Sequence, residues 1–127
     1  MSRRVVFKRS VVDSILSYSR MCYPEEGILL LRGKKKGDTL EVESVVVPPG
    51  ATHGKNFSSF SWFFLPPDTR YVGVAHSHPS GSVEPSHQDI LHASGSIMVI
   101  SGYPFENESC ISVYDTEGRR IEFGVED

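Results

Sequence analysis

Residues 70–89 read RYVGVAHSHPSGSVEPSHQD, and their succession of strand, loop and helix start decides the fold. Residues 70–76 predict a strand. His76 and His78 stand at its end, two residues apart, so their side chains share one face with Cβ atoms about 6.5 Å apart. Two imidazoles at that spacing can converge on one ion, with Zn–N distances of about 2.0–2.1 Å. Pro79 keeps the strand from running on, and the Pro- and Gly-containing loop after it can fold back over the strand end. Pro85 ends the loop, and a short helix is predicted over 87–94, starting at Ser86 or His87. Asp89 falls in its first turn, where the helix N-terminus favours a charged carboxylate. Two histidines and one carboxylate leave a fourth tetrahedral position open, which distinguishes catalytic zinc sites from closed structural ones. Each part also has a plainer reading. A bare His-x-His is a weak signal, and Ser86-x-x-Asp89 matches a helix capping box. The conjunction of all the parts in one short segment carries the metal reading.

Working outward, residues 4–8 (RVVFK) suggest a short strand. Ser10 then opens a helix in which Ser10 and Asp13 match a loose capping box and Val11, Val12, Ile15 and Leu16 form an apolar stripe. Pro24 stops that helix. Residues 27–32 (GILLLR) form an apolar run suited to a strand buried on both faces. Lys34, Lys35 and Lys36, between Gly33 and Gly37, read as a solvated hairpin turn. Residues 39–47 (TLEVESVVV) supply the second strand of the hairpin. After a loop through residue 55, residues 56–64 (NFSSFSWFF) read as a strand with one wet face. Residues 96–101 (SIMVIS) give a further buried strand. The tail over 110–125 reads as a hairpin turning at Asp115-Thr116-Glu117-Gly118. This order predicts an α/β fold, a mixed sheet with helices packed on it, in a single domain spanning 1–127.

The run His76-Ser77-His78, seven intervening residues, Ser86, two more, then Asp89 resembles the signature of the JAMM, or MPN-plus, metalloprotease family, which also carries an upstream Glu. Here Glu26 directly precedes the first buried strand and takes that place, with Glu25 as second choice. The resemblance extends over nearly the whole chain in element order. It implies a cytidine-deaminase-like architecture, with the sheet between helices. It implies one zinc ion per chain held by His76, His78 and Asp89, with water in the fourth position. Glu26 would act as general base and then acid. Ser86 would hydrogen-bond the developing oxyanion. Enzymes of this family generally cleave after the C-terminal glycine of ubiquitin or ubiquitin-like proteins. The chain lacks the long insertions of larger members and looks like a compact prokaryotic one. Its expected partner is therefore a ubiquitin-like or sulfur-carrier protein with a Gly-Gly tail. Such a tail can add as a strand to a sheet edge, for which 56–64 and the loop before it are the candidate.

Composition bounds these expectations. The chain has 127 residues and a net charge of -3, which argues against a general binder of nucleic acid or anionic membranes. No secretory signal or membrane-spanning run is seen, and a cytoplasmic location is expected. Cys22 and Cys110 form no CxxC unit and read as reduced thiols, Cys22 as a buried and inert one. His53 reads as a surface residue, although it could line a substrate groove. His87 reads as a solvated helix-start residue and His92 as a packing or surface one. Trp62, Phe63 and Phe64 read as core. Three rivals compete. A metallo-β-lactamase-type site needs His-x-His-x-Asp-His, which Pro79, Ser80 and Gly81 do not supply. A zinc deaminase needs a Pro-Cys-x-x-Cys pair, which the two cysteines cannot provide. A catalytically inactive MPN scaffold that mediates protein–protein interaction would typically lack a ligand, and none is missing here.

Overall fold

The structure is a computed structural model that describes residues 4–47, 70–86 and 95–127. Strand β1 (Arg4–Lys8) leads straight into helix α1 (Arg9–Cys22). Val11, Val12, Ile15, Leu16, Ser19 and Cys22 form the buried face of α1, which includes the four apolar positions expected from the helical spacing. Its start differs from the expected one. The N-cap is Lys8, in extended conformation and with no side-chain cap. Because β1 runs directly into the helix, Ser10 already lies inside the first turn and cannot act as the cap.

Strands β2 (Ile28–Lys36) and β3 (Thr39–Val46) pair antiparallel. The three lysines belong to β2 rather than to the turn, which shortens to residues 37–38. Lys34, Lys35 and Lys36 pair with Glu41, Leu40 and Thr39 after a register shift at Arg32/Gly33, and Lys34 Nζ lies 3.6 Å from Glu43. A two-residue reversal is the tightest hairpin connection, so the ladder continues through the polar end of the strand.

Strand β4 (Tyr71–His78) lies against β2 antiparallel and against β5 (Ile97–Gly102) parallel. A short 3-10 turn (Glu108–Cys110) precedes β6 (Ile111–Asp115), and β7 (Arg120–Ile121) and β8 (Phe123–Glu126) close the chain. The tail turns back on β6 as expected, with Asp115 Oδ1 accepting from the Glu117 and Arg119 amides at 2.9 Å each. Only β7 follows that hairpin, because β8 leaves to pair parallel with β1.

The sheet is mixed and eight-stranded among the described residues, in the order β7-β6-β5-β4-β2-β3-β1-β8. β7 and β8 occupy opposite edges, yet only Glu122 separates them in the chain. Two peptide steps span at most about 7 Å, so the edges must approach each other and the sheet curls. Helix α1 fills the concave side. Its apolar face packs with Val5, Phe7, Leu29, Leu31, Leu40, Val42, Ala75, Val99 and Val113 in one core. Met98, Ile100 and Tyr114 form a second buried cluster of their own. The expected strand at 56–64 and helix at 87–94 lie outside the described residues, as do Asp89, His53, Trp62, Phe63, Phe64, His87 and His92. Among the described residues no helix is long and apolar enough to cross a membrane.

Candidate metal centre

Strand β4 is buried from Val72 to His78, so both histidines are carried into the interior on a central strand. His76 is 3% exposed and His78 is 9% exposed. The alternation of the strand sets their rings on one face, with centroids 5.6 Å apart and planes at 63°. That spacing tests the fit of an ion. Zn–N bonds of about 2.1 Å at a tetrahedral angle place two ligand ring centroids roughly 5 Å apart. The observed separation is close to that value.

The ring of His78 is oriented by the loop behind it. Its Nδ1 lies 3.1 Å from the Ser82 carbonyl oxygen. A carbonyl can only accept, so Nδ1 carries the proton and Nε2 keeps the lone pair that a metal needs. The loop is itself fastened to the sheet. The His78 carbonyl accepts from the Gly81 amide at 3.1 Å and from the Tyr103 amide at 3.2 Å. The Tyr114 hydroxyl donates to the Val83 carbonyl. Gly102, the partner of His78 on β5, leaves room for this packing. A Cβ there would stand 2.8 Å from the Gly81 oxygen and 2.9 Å from Val83 Cγ1. Sequence reasoning overlooked Ser82, Gly102 and Tyr114. The glycine directly after a buried apolar strand was the available signal for close backbone approach.

Glu26 lies between α1 and β2 and is solvent-accessible. The β2–β4 register pairs Ile28 with His76, and the Ser77 amide donates to the Gly27 carbonyl at 3.1 Å. Continuing that register by one more step sets Glu26 opposite His78. Opposed residues of an antiparallel pair share a face. Glu25 sits one position further back, in a turn where its amide donates to the Cys22 carbonyl at 2.8 Å. Ser86 is solvent-accessible, three residues beyond the anchored Val83. Asp89 lies outside the described residues, and among those residues no group of three or more His, Cys, Asp or Glu side chains gathers as a metal cradle. The donor chemistry nevertheless fits zinc. Two buried imidazoles lie on one face of β4 at a spacing that suits a shared ion, and the Ser82 carbonyl sets the tautomer of one of them.

An aromatic ledge borders the same end of β4. Tyr23 stacks on Tyr103 at 4.8 Å, and both are about half exposed, at 46% and 50%. Cys22 is buried next to it, and burial raises its thiol above the ordinary range. Burial, together with Cys22, pushes the Tyr18 hydroxyl up to about 12. Cys22 therefore stays a protonated thiol at neutral pH, as the sequence suggested.

A family model for prokaryotic homologs of the JAB domain matches residues 8–116. The chain belongs to the JAMM/MPN family. A probable metalloprotease of Haloferax volcanii is 31% identical over 112 residues, covering 82% of this chain and 70% of the relative. Among solved structures, a JAB1/MPN domain protein from Archaeoglobus fulgidus is similar over 100% of both chains, with a TM-score of 0.72 and 26% identity. A second structure, reported as JAMM, a metalloprotease-like zinc site in the proteasome and signalosome, matches over 100% of both chains with a TM-score of 0.69 and 25% identity. The JAMM/MPN fold accounts for the mixed sheet and for α1 packed against it.

Proposed function

We propose that this JAMM-family chain is a zinc-dependent peptidase or isopeptidase. It would hydrolyse the bond after the C-terminal glycine of a ubiquitin-like or sulfur-carrier protein, in the cytoplasm, with 1–127 as a single catalytic domain. The observation that carries the reading is the buried His76–His78 pair at 5.6 Å, with the His78 tautomer set by Ser82. The metalloprotease relative and the zinc-site structure support it.

His76, His78 and Asp89 would hold the ion. When bound, zinc lowers the pKa of a coordinated water toward about 7 and polarises a carbonyl. Glu26 takes the proton of the attacking water and delivers it to the leaving amine, a shuttle suited to a solvent-accessible carboxylate across from His78. The Ser86 hydroxyl donates to the substrate carbonyl oxygen as negative charge develops there. Glycine at the cleaved residue suits a narrow approach to the ion, because its missing side chain lets the backbone come close.

The test is the zinc content of purified protein beside His78→Ala and Asp89→Ala, followed by cleavage of Gly-tailed conjugates. About one zinc per chain, lost in both variants, with cleavage abolished when the terminal glycine is replaced by a bulky residue, is the expected result. Variants that bind zinc as well as the wild type would refute the ligand set. Zinc-loaded wild type that cleaves no conjugate would leave a binding scaffold.

A further inference from the structure

Between the two histidines stands Ser77, buried at 1% exposure and on the opposite face of β4 from them. It clasps Gly27 at two points. The Ser77 amide donates to the Gly27 carbonyl at 3.1 Å, and the Gly27 amide donates to the Ser77 hydroxyl at 2.8 Å. The other side of Gly27 is equally occupied. A Cβ there would stand 2.8 Å from Cys22 Sγ and 2.9 Å from Tyr18 Cε2, so the chain passes tightly between β4 and the last turn of α1. Glu26 shares with Gly27 the peptide whose N–H Ser77 holds.

We propose that Ser77 is a positioning residue. Its hydroxyl fixes the 26–27 peptide and so sets the reach of the Glu26 carboxylate toward an ion held by the neighbouring His76 and His78. This rests on the protease reading above. Ser77 adjoins both histidines in the chain, so a single hydrogen bond ties the spacing of the base to the spacing of the ligands. A shift of the order of 1 Å in a base relative to the reacting atoms is enough to slow a reaction about a hundredfold. Alanine at position 77 would leave the Gly27 amide without its acceptor, whereas threonine would keep one.

The experiment compares zinc-loaded wild type, Ser77→Ala and Ser77→Thr. It measures amide hydrogen exchange at Gly27, zinc affinity, and kcat and KM on a Gly-tailed conjugate. In Ser77→Ala the Gly27 amide is expected to exchange at least about tenfold faster, with zinc affinity and KM within about threefold of wild type. Its kcat is expected to fall about 10- to 100-fold, and Ser77→Thr to recover most of that loss. Unchanged kcat in Ser77→Ala would overturn the proposal. So would a kcat loss that follows zinc loss, or a folded Ser77→Thr no better than alanine. Wild type that holds zinc but cleaves nothing would remove the protease reading instead, and the exchange at Gly27 would then decide the clasp by itself.

Discussion

At the residue scale, His76 and His78 share a face of β4. The ring of His78 is turned by the Ser82 carbonyl, so Nε2 is the nitrogen left with a lone pair, the one that would meet an ion under the proposed function. This much was legible in the sequence, because an i, i+2 pair on a strand must share a face whatever surrounds it. The partner of the ring was not legible, since any of several loop carbonyls could have reached it. The sequence placed Glu26 just before a buried strand, and continuing the β2–β4 register one step past Gly27 and Ser77 would set it opposite His78. Under the proposed mechanism, Glu26→Gln keeps the shape of the side chain and loses the proton shuttle. Zinc content is expected to stay at wild-type level while kcat falls about 10²- to 10⁴-fold, read by metal analysis and steady-state kinetics on one preparation. Loss of zinc with kcat would instead make Glu26 a ligand.

At the element scale, the loop after β4 matters as much as the strand. It is pinned through the His78 carbonyl, the Tyr114 hydroxyl and the bare Cα of Gly102. Gly102→Ala sets a methyl against the Gly81 carbonyl and should push the loop outward, taking the Ser82 acceptor from His78. Zinc affinity is expected to drop about 10- to 100-fold in a folded protein, the usual cost of losing a ligand's orienting partner. Calorimetric titration with zinc checks it, and unaltered affinity would show that the loop tolerates the shift. The β6–β7 turn offers an independent case. Burial pushes the Asp115 carboxyl up, but the amides of Arg119 and Glu117 and the charge of Arg119 outweigh it and hold the group below its ordinary value. A depressed folded pKa means stabilisation that is present above the ordinary carboxylate range and is lost as pH falls through the folded value. Asp115→Ala is therefore expected to cost about 1 kcal/mol at pH 7, and the gap from wild type should close in acid. Denaturant melts at pH 7 and below pH 4 test this. The hairpin itself was readable from Asp115-Thr116-Glu117-Gly118, but the capping misassignment at Ser10 shows the limit of such local patterns. A strand that runs directly into a helix fixes the helix start through the sheet, not through the best capping residue.

At the scale of the whole molecule, the curl of the sheet holds the ends together. Phe7 of β1 meets Phe123 of β8 edge to face, with centroids 5.4 Å apart. A double-mutant cycle on Phe7→Leu and Phe123→Leu is expected to return a coupling of about 1 kcal/mol in unfolding free energy. A coupling near zero would mean that the two rings contribute only as separate buried surfaces. The sequence by itself determined the family, the mixed α/β class, the buried strands and the shared face of His76 and His78. The family rests on the resemblance carried by the spaced motif residues, and the other three depend on a period of two or 3.6 residues, a local property of the chain. Only the tertiary structure decided that β7 and β8 part to opposite edges and that Gly27 is clasped by Ser77. Each of these pairs residues far apart in the chain, and many registers satisfy the same apolar pattern. The register that survives is the one in which α1 fills the concave face and the amide at Gly27 finds its acceptor.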